Sequence, residues 1–190
     1  MDAYDWDKTV FARDTTSSFY FYCCARYPRL LRFLPVATRI AWRHVRLLPP
    51  EPEVKQRFYR FFAEVPDIEG CVRDYWKKNE HLIGSPAMPV NPKPGDVIIS
   101  ASAEFLLRDM CEARGLVLIA TLIDPATGDR ISPDCFDHEK VRRFRALFGE
   151  DAAPETWYSD SPTDTPMADI AGQAFLVKKS GILPWPKRGA

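Results

Sequence analysis

Short apolar segments alternate with amphipathic segments along the C-terminal half of the chain, and this alternation is the strongest constraint on its fold. The period-2 and apolar runs predict strands at residues 96–100, 116–121, 156–159 and 174–177. Helices are predicted between them, at residues 104–114, 138–148 and 166–171. Strands that alternate with helices form right-handed crossovers and a mostly parallel sheet, which binds ligands at the carboxyl ends of its strands. The predicted fold class is therefore α/β.

The segment between residues 13 and 92 has a different composition. It is rich in aromatic residues and arginine, is punctuated by prolines, and is predicted to form helices. It ends in a linker, residues 85–95, in which four prolines fall within ten positions. This density forbids a helix and is typical of an extended hinge. We therefore predict a core formed by residues 1–12 and 93–190, and a helical insert formed by residues 13–92.

The charge balance and the cysteines exclude several classes of protein. The 190 residues include 26 Lys plus Arg and 26 Asp plus Glu, so the formal net charge is zero and no nucleic-acid partner is predicted. The five cysteines are odd in number and include no C-x-x-C pair, which favours reduced thiols and a cytoplasmic location. An apolar run near the N-terminus, residues 19–25, is too short to span a bilayer.

A further short strand is predicted at residues 1–4, directly before Asp5. Polar side chains therefore stand at the ends of three predicted strands: Asp5, Ser100 and Asp160. Asp7 lies two positions after Asp5, and alternate residues of an extended chain share a side, so the two carboxylates are expected to lie close together. Such carboxylates repel unless a cation lies between them or one is protonated. Either outcome suits an enzyme, as a magnesium site or as a nucleophile beside an acid. Asp160 and Asp164 form a second acidic pair, and hard oxygen ligands without a His or Cys cluster favour magnesium over zinc.

Four motifs occur in a fixed order along the chain. They are D-W-D-K-T at residues 5–9, an apolar strand that ends in Ser100, Lys140 at the start of a helix, and D-S-P-T-D at residues 160–164. Over the whole chain this order resembles the haloacid dehalogenase (HAD) superfamily of aspartate-nucleophile phosphatases, in particular the phosphoserine phosphatase-like subfamily (IB). The resemblance implies a Rossmann-like three-layer sandwich with a mostly parallel sheet, and a helical cap of the C1 type inserted after the first strand. Lys8 stands where that family more commonly has glycine.

The resemblance also implies a role for each motif residue. Asp5 resembles the nucleophile that forms an aspartyl-phosphate. Asp7 resembles the general acid that protonates the leaving alcohol and then activates water. Magnesium would be held by Asp5, the backbone carbonyl of Asp7, Asp160, and Asp164 directly or through water. The phosphoryl oxygens would be bound by Thr9, Ser100, Ala101 and Lys140.

Two positions near the predicted site carry alternative interpretations. Asp14 lies where phosphoserine phosphatases keep an acidic residue that meets the substrate amine, but it also suits the N-cap of a helix that begins with Thr15. Ser102 is a candidate to share the phosphate site with Ser100.

The predicted insert carries a basic stripe and many aromatic residues. The arginines recur at spacings of three, four and seven: Arg26, Arg29, Arg32, Arg39, Arg43 and Arg46. Three of them share one face of a helix predicted at residues 35–48, which is either the solvated face of a core-packed helix or a contact with an anionic lipid surface. The aromatic residues at 19–22, 58, 61 and 62 are predicted to form the core of the insert.

Taken with the resemblance, the motifs predict a magnesium-dependent phosphatase that hydrolyses a phosphomonoester through an aspartyl-phosphate. The expected partner is a small phosphorylated substrate, with a lipid phosphate as one option because lipid-phosphate phosphatases occur in this subfamily. Two alternatives use the same scaffold: a phosphotransferase or mutase, and a phosphate-binding relative without catalysis. Members of the superfamily that dehalogenate lack the second aspartate and the metal, so Asp7 and the fourth motif argue against dehalogenation.

Overall fold

A mixed six-stranded sheet organises the protein in the computed structural model, which describes residues 1–46, 51–84 and 89–186. The strands are β1 (Ala3–Tyr4), β2 (Val97–Ala103), β3 (Val117–Thr121), β4 (Thr156–Ser159), β5 (Gln173–Lys178) and β6 (Gly181–Pro184). Their order across the sheet is β3-β2-β1-β4-β5-β6. All neighbouring pairs are parallel except β5 and β6. The predicted α/β class with a mostly parallel sheet is confirmed.

Strand β1 lies at the centre of the sheet although it contains only two residues. Ala3 pairs with Val97 of β2 on one side and with Trp157 of β4 on the other. The backbone N–H of Asp5 donates to the carbonyl oxygen of Tyr158 at 2.8 Å, so the chain remains fixed to β4 where the strand ends. This central position places Asp5 between the carboxyl ends of β2 and β4.

Helices cover both faces of the sheet, as the three-layer prediction requires. The helices that follow β2, β3 and β4 are α5 (Glu104–Ala113), α6 (His138–Phe148) and α7 (Thr165–Ile170). Val97 and Ile99 of β2 pack in one core cluster with Phe144 of α6. Ile98 points to the opposite face, where it joins a second cluster with Leu107 of α5. The alternation of side chains along one buried strand thus separates the two layers of helices.

The described part of the chain between β1 and β2 contains four α-helices. They are α1 (Thr15–Arg26), α2 (Leu34–Val45), α3 (Pro52–Tyr59) and α4 (Ile68–Asn79), joined by short 3₁₀ turns. Buried aromatic rings hold them together: Phe19, Tyr20, Phe58, Phe61, Phe62 and Tyr75. The prediction of an aromatic core is therefore correct for most of its members. It is wrong for Phe21, which is 54% exposed because it lies on the outer side of α1.

The predicted hinge, residues 85–95, falls only partly within the described residues. Residues 85–88 lie outside the described residues, and residues 89–96 contain no helix or strand, as their prolines predict. Among the described residues, no helix combines the length and apolar character needed to cross a membrane.

The loop that follows β3 fixes the helical segment against the sheet. Ile123 and Arg130 form an antiparallel bridge, and Gln56 of α3 donates to the carbonyl oxygen of Gly128 at 3.0 Å. Gly128 has φ +73°, and a Cβ atom there would overlap the carbonyl oxygen of Tyr59. Only glycine allows this approach of the loop to α3.

The Gly128→Ala substitution is expected to destabilise the protein, because the new methyl group meets backbone atoms that cannot move aside. This overlap should cost about 1–3 kcal/mol in addition to the cost of backbone strain. Urea unfolding of both variants measures the difference. Gly95→Ala is the matched control, since Gly95 has φ +91° and a Cβ atom there would have no neighbour within 4 Å. Equal losses of stability in the two variants would contradict the close contact.

Candidate active site

The predicted site residues meet at the carboxyl edge of the three central strands. Asp5 follows β1, Ser100 lies within β2, and Asp160 follows β4. Lys140 reaches the same place from the first turn of α6. The topology therefore gathers residues that are far apart in sequence, as expected for a parallel sheet.

Lys140 is a buried ammonium group between two carboxylates. Its Nζ donates to Oδ1 of Asp5 at 2.7 Å and to Oδ2 of Asp164 at 2.9 Å. Only 2% of the Lys140 side chain is exposed, and its Nζ lies 5.3 Å from the ring centroid of Trp157. Burial alone would lower the pKa of Lys140, but the charges of Asp164 and Asp5 raise it above its usual value. Lys140 is therefore a permanent positive charge in the site.

Asp164 is fixed by a second contact. The hydroxyl of Ser159, the last residue of β4, donates to its Oδ2 at 2.6 Å, and Asp164 itself is buried at the end of a 3₁₀ turn, Pro162–Asp164. The fourth motif thus turns back so that its second acid contacts Lys140. The sequence did not indicate Ser159 as a partner of Asp164, although its place directly before Asp160 at a strand end is a usable signal.

Thr9 connects the first and fourth motifs. Its hydroxyl donates to Oδ2 of Asp5 at 3.3 Å and accepts from the backbone N–H of Asp160 at 2.8 Å. The carbonyl oxygen of Asp160 accepts from Nζ of Lys178 in β5 at 2.5 Å. Thr9 is fully buried, so in this structure its hydroxyl positions Asp5 and the Asp160 loop relative to each other.

Asp7 lies where the chain enters the helical segment. Its Oδ1 accepts from the backbone N–H and the hydroxyl of Thr15, at 2.7 and 2.5 Å, and its Oδ2 accepts from the hydroxyl of Ser102 at 2.6 Å. Asp5 and Asp7 therefore contact different partners. Lys8, directly after Asp7, has φ 60°, a left-handed conformation that favours glycine.

The second motif contains a local irregularity. The register between β2 and β3 shifts between Ser100 and Ala103. There the backbone N–H of Ser102 donates to the hydroxyl oxygen of Ser100 at 3.1 Å, and the carbonyl oxygen of Ala101 accepts from the hydroxyl of Thr121 at 3.1 Å. Ser100 is buried beside the site, whereas Ser102 contacts Asp7.

The pKa values of three carboxyl groups, those of Asp5, Asp7 and Asp160, are raised above their usual value. Burial raises the pKa of Asp5, and the charges of Asp164 and Asp160 raise it further, although Lys140 opposes them. Burial also raises the pKa of Asp7, to about 7, with a further contribution from Asp14. The pKa of Asp160 is raised by burial and by Asp164, against the effect of Lys8. The cause in each case is negative charge held in a poorly solvated place.

The donor chemistry of this cluster fits a hard divalent cation. Asp5 and Asp160 offer carboxylate oxygens that repel each other, and Asp7 offers a backbone carbonyl oxygen two residues from Asp5. Magnesium is commonly bound through one or two carboxylates and several waters. Within residues 1–46, 51–84 and 89–186, no three Asp, Glu, His or Cys side chains form a metal-binding cluster, so a cation here would depend on the carbonyl oxygen and on water as well.

Asp14 caps the first helix of the helical segment. Its Oδ1 accepts from the backbone N–H of Ser17 at 2.8 Å, directly before α1. The N-cap interpretation is confirmed, while the contact with a substrate amine stays a prediction. Thr15, which the sequence did not indicate as a site residue, contacts Asp7 because it begins the same helix.

The fold and this cluster define a class of hydrolase. Residues 3–169 match the family of haloacid dehalogenase-like hydrolases, and the chain belongs to that family. The expectation drawn from the four motifs is confirmed at this level. No curated protein matches the chain in sequence.

Solved structures show the same fold at low sequence identity. A protein of unknown function from Bordetella pertussis Tohama I has a TM-score of 0.70 and 15% identity, with coverage of 92% of this chain and 87% of its own. A probable phosphoserine phosphatase from Vibrio cholerae has a TM-score of 0.60 and 11% identity, and the match covers 91% of this chain and 55% of that protein. A HAD family hydrolase from Salmonella enterica serovar Typhi has a TM-score of 0.59 and 14% identity, and the match covers 90% of this chain and 60% of that protein. The chain thus spans little more than half the length of the last two.

Proposed function

We propose that the protein is a magnesium-dependent phosphatase that hydrolyses a phosphomonoester through an aspartyl-phosphate on Asp5. The observation that carries this proposal is the position of Asp5: its carboxylate is buried, contacts the ammonium group of Lys140, and is joined through Thr9 to the loop of Asp160. A carboxylate attacks an anionic phosphate only where positive charge reduces the repulsion, and this cluster offers that charge.

In the proposed first step, a carboxylate oxygen of Asp5 attacks phosphorus, and the bond from phosphorus to the leaving oxygen breaks. Asp7, whose pKa of about 7 leaves part of it protonated near neutral pH, gives its proton to that oxygen. In the second step Asp7 takes a proton from water as the water oxygen attacks phosphorus. Inorganic phosphate leaves, and Asp5 is restored as a carboxylate.

The remaining residues position and neutralise the phosphoryl group. Lys140 supplies a fixed positive charge, and Ser100 with the backbone N–H of Ala101 supplies hydrogen-bond donors from the C-terminal half of β2. Magnesium held by Asp5, the carbonyl of Asp7 and Asp160 would supply further positive charge to the transferring group, with Asp164 close by. Thr9 contributes by positioning Asp5.

We also propose that residues 13–92 act as a cap over a core formed by residues 1–12 and 93–190. The hydrogen bonds from Thr15 and Ser102 to Asp7 support this arrangement, because they join the start of α1 to the sheet edge at the site. A cap in this place would exclude water and select the substrate.

A panel of amino-acid, sugar, nucleotide and lipid phosphates identifies the substrate, and a preference for phosphorylated amines would implicate Asp14.

Hydrolysis of p-nitrophenyl phosphate tests the proposal directly. Activity is expected with magnesium, and it should fall at least about 100-fold when EDTA removes the metal, because the charge on the phosphoryl group is then poorly neutralised. Restoration by added magnesium is the control. Equal rates with and without the metal would contradict the magnesium site, and a complete lack of turnover on the whole panel would favour a phosphate-binding relative. Transfer to an added sugar hydroxyl in place of water would favour a phosphotransferase or mutase.

A further inference from the structure

Helix α2 and the 3₁₀ turn before it carry an excess of positive charge. Residues 27–50 contain five arginines and no aspartate or glutamate. Two glutamates from neighbouring segments pair with them: Glu51 with two arginines of α2, at 2.7 and 2.6 Å, and Glu64 with Arg32. Five arginines against these two glutamates leave residues 27–50 with a formal excess of three positive charges after their ion pairs.

Apolar groups are exposed among these arginines. None of the described side chains of α2 is buried, whereas α1, α3 and α4 each contribute several residues to the core. Val36 and Ile40 pack partly against the core from the inner side of α2. On the outer side Trp42 is 51% exposed, and in the preceding 3₁₀ turn Leu31 is 49% exposed.

The charged and apolar groups adjoin each other. The guanidinium of Arg46 lies 4.2 Å from the ring centroid of Trp42. The side chains of Arg32 and Arg39 are 60% and 61% exposed, so much of each extends toward solvent beyond its ion pair. An exposed tryptophan in contact with an arginine, with further exposed arginines on the same segment, is the side-chain pattern of helices that lie in the headgroup region of a bilayer.

We propose that Leu31, Arg32, Arg39, Trp42 and Arg46 form a docking surface, here called the α2 surface, for membranes that contain anionic lipid. Trp42 and Leu31 enter the boundary between headgroups and acyl chains, and the arginines contact lipid phosphates. The complementary charge identifies an anionic bilayer as the occupant, and the exposed apolar side chains of Leu31 and Trp42 favour it over a nucleic acid. This binding does not depend on catalysis.

Sedimentation with vesicles at low salt tests the α2 surface. The full chain is expected to bind vesicles of phosphatidylcholine with phosphatidylglycerol, and to bind pure phosphatidylcholine at least about tenfold more weakly. The double variant Arg39→Glu/Arg46→Glu is expected to lose at least about 25-fold in affinity, since each arginine near an anionic surface contributes about fivefold. Arg73→Glu/Lys77→Glu makes the same change of charge on exposed positions of α4 and should bind as the wild type does.

Tryptophan fluorescence provides an independent readout. Trp42 is exposed, whereas Trp6, Trp76 and Trp157 are buried and Trp185 is half-buried. Binding to anionic vesicles is therefore expected to shift the emission to shorter wavelength, and Trp42→Phe should remove the shift. Ile131→Ser is the control for loss of an exposed apolar side chain, since Ile131 is 70% exposed and lies outside the helical segment.

Four results would overturn the proposal: no binding to anionic vesicles, equal binding to both vesicle types, an equal loss in the α4 control variant, or an emission shift that persists without Trp42. Binding of single-stranded RNA with no binding of vesicles would also overturn it, in favour of a nucleic-acid surface. Hydrolysis of soluble p-nitrophenyl phosphate should be the same in Arg39→Glu/Arg46→Glu and the wild type. Failure of the docking surface would thus leave the proposed phosphatase activity intact. Failure of the phosphatase activity would likewise leave the docking surface intact.

Discussion

The Asp5→Asn variant is expected to hydrolyse p-nitrophenyl phosphate at least about 1,000-fold more slowly than the wild type, as is usual when a covalent nucleophile is removed. An amide does not form the acyl phosphate through which the reaction is proposed to pass. The side chain keeps its size, so Lys140 and Thr9 keep a polar neighbour. Initial rates at saturating magnesium measure the effect.

The same variant is expected to fold normally. Burial raises the pKa of Asp5, so the ionised carboxylate is disfavoured in the folded protein, and a neutral amide avoids that cost. Its melting temperature in EDTA should equal or exceed that of the wild type. Asp109→Asn, on the exposed side of α5, is the matched control and should retain full activity. A rate like that of the wild type in Asp5→Asn would refute the assignment of the nucleophile.

The Lys140→Met variant is expected to lose both activity and stability. Methionine fills a similar volume but leaves Asp5 and Asp164 without their buried cation. Removal of one partner from a buried ion pair costs about 3–5 kcal/mol. For a chain of this size that corresponds to a fall of roughly 6–20 °C in melting temperature. Thermal unfolding monitored by circular dichroism measures it, with Lys77→Met, at a position that is 76% exposed, as the control.

A double-mutant cycle separates the ion pair from simple loss of packing. Lys140→Met combined with Asp164→Asn removes both the cation and one of the carboxylates it neutralises, at a contact of 2.9 Å. The double variant should therefore be more stable than the sum of the two single changes predicts. Additive changes in the free energy of unfolding would contradict the description of Lys140 as the charge that holds the site together.

The sequence allowed the sheet and the motif residues to be predicted because their signals are local. Residues 138–148 carry a helical pattern that ends at Gly149, and the structure has α6 at the same residues. Asp5, Lys140 and Asp164 were proposed from motifs, and the topology brings their side chains into contact. Strand β6 was missed, since residues 181–184 form a short, largely exposed edge segment that ends in proline and has no clear alternation.

Other features depend on tertiary contacts that no local pattern reveals. Thr15 and Ser102 are separated by most of the helical segment, yet both donate to Asp7. The positions of the arginines are read directly from the sequence, but their ion pairs with Glu51 and Glu64 follow only from the packing of α2 against its neighbours. The exposure of Trp42 likewise reflects the peripheral place of α2, which its amphipathic sequence did not specify.

The two chain connections between the sheet and the helical segment form a single neck. Phe11 bridges to Ile83, and the backbone N–H of Gly84 donates to the carbonyl oxygen of Val10 at 3.0 Å. These contacts join the connections side by side, so if the helical segment rotates as the proposed cap, the first connection would absorb that rotation before Val10. That stretch contains Asp7 and the left-handed Lys8. The proposed proton donor would then lie on the pivot of the cap, and opening of the helical segment would change the water around it.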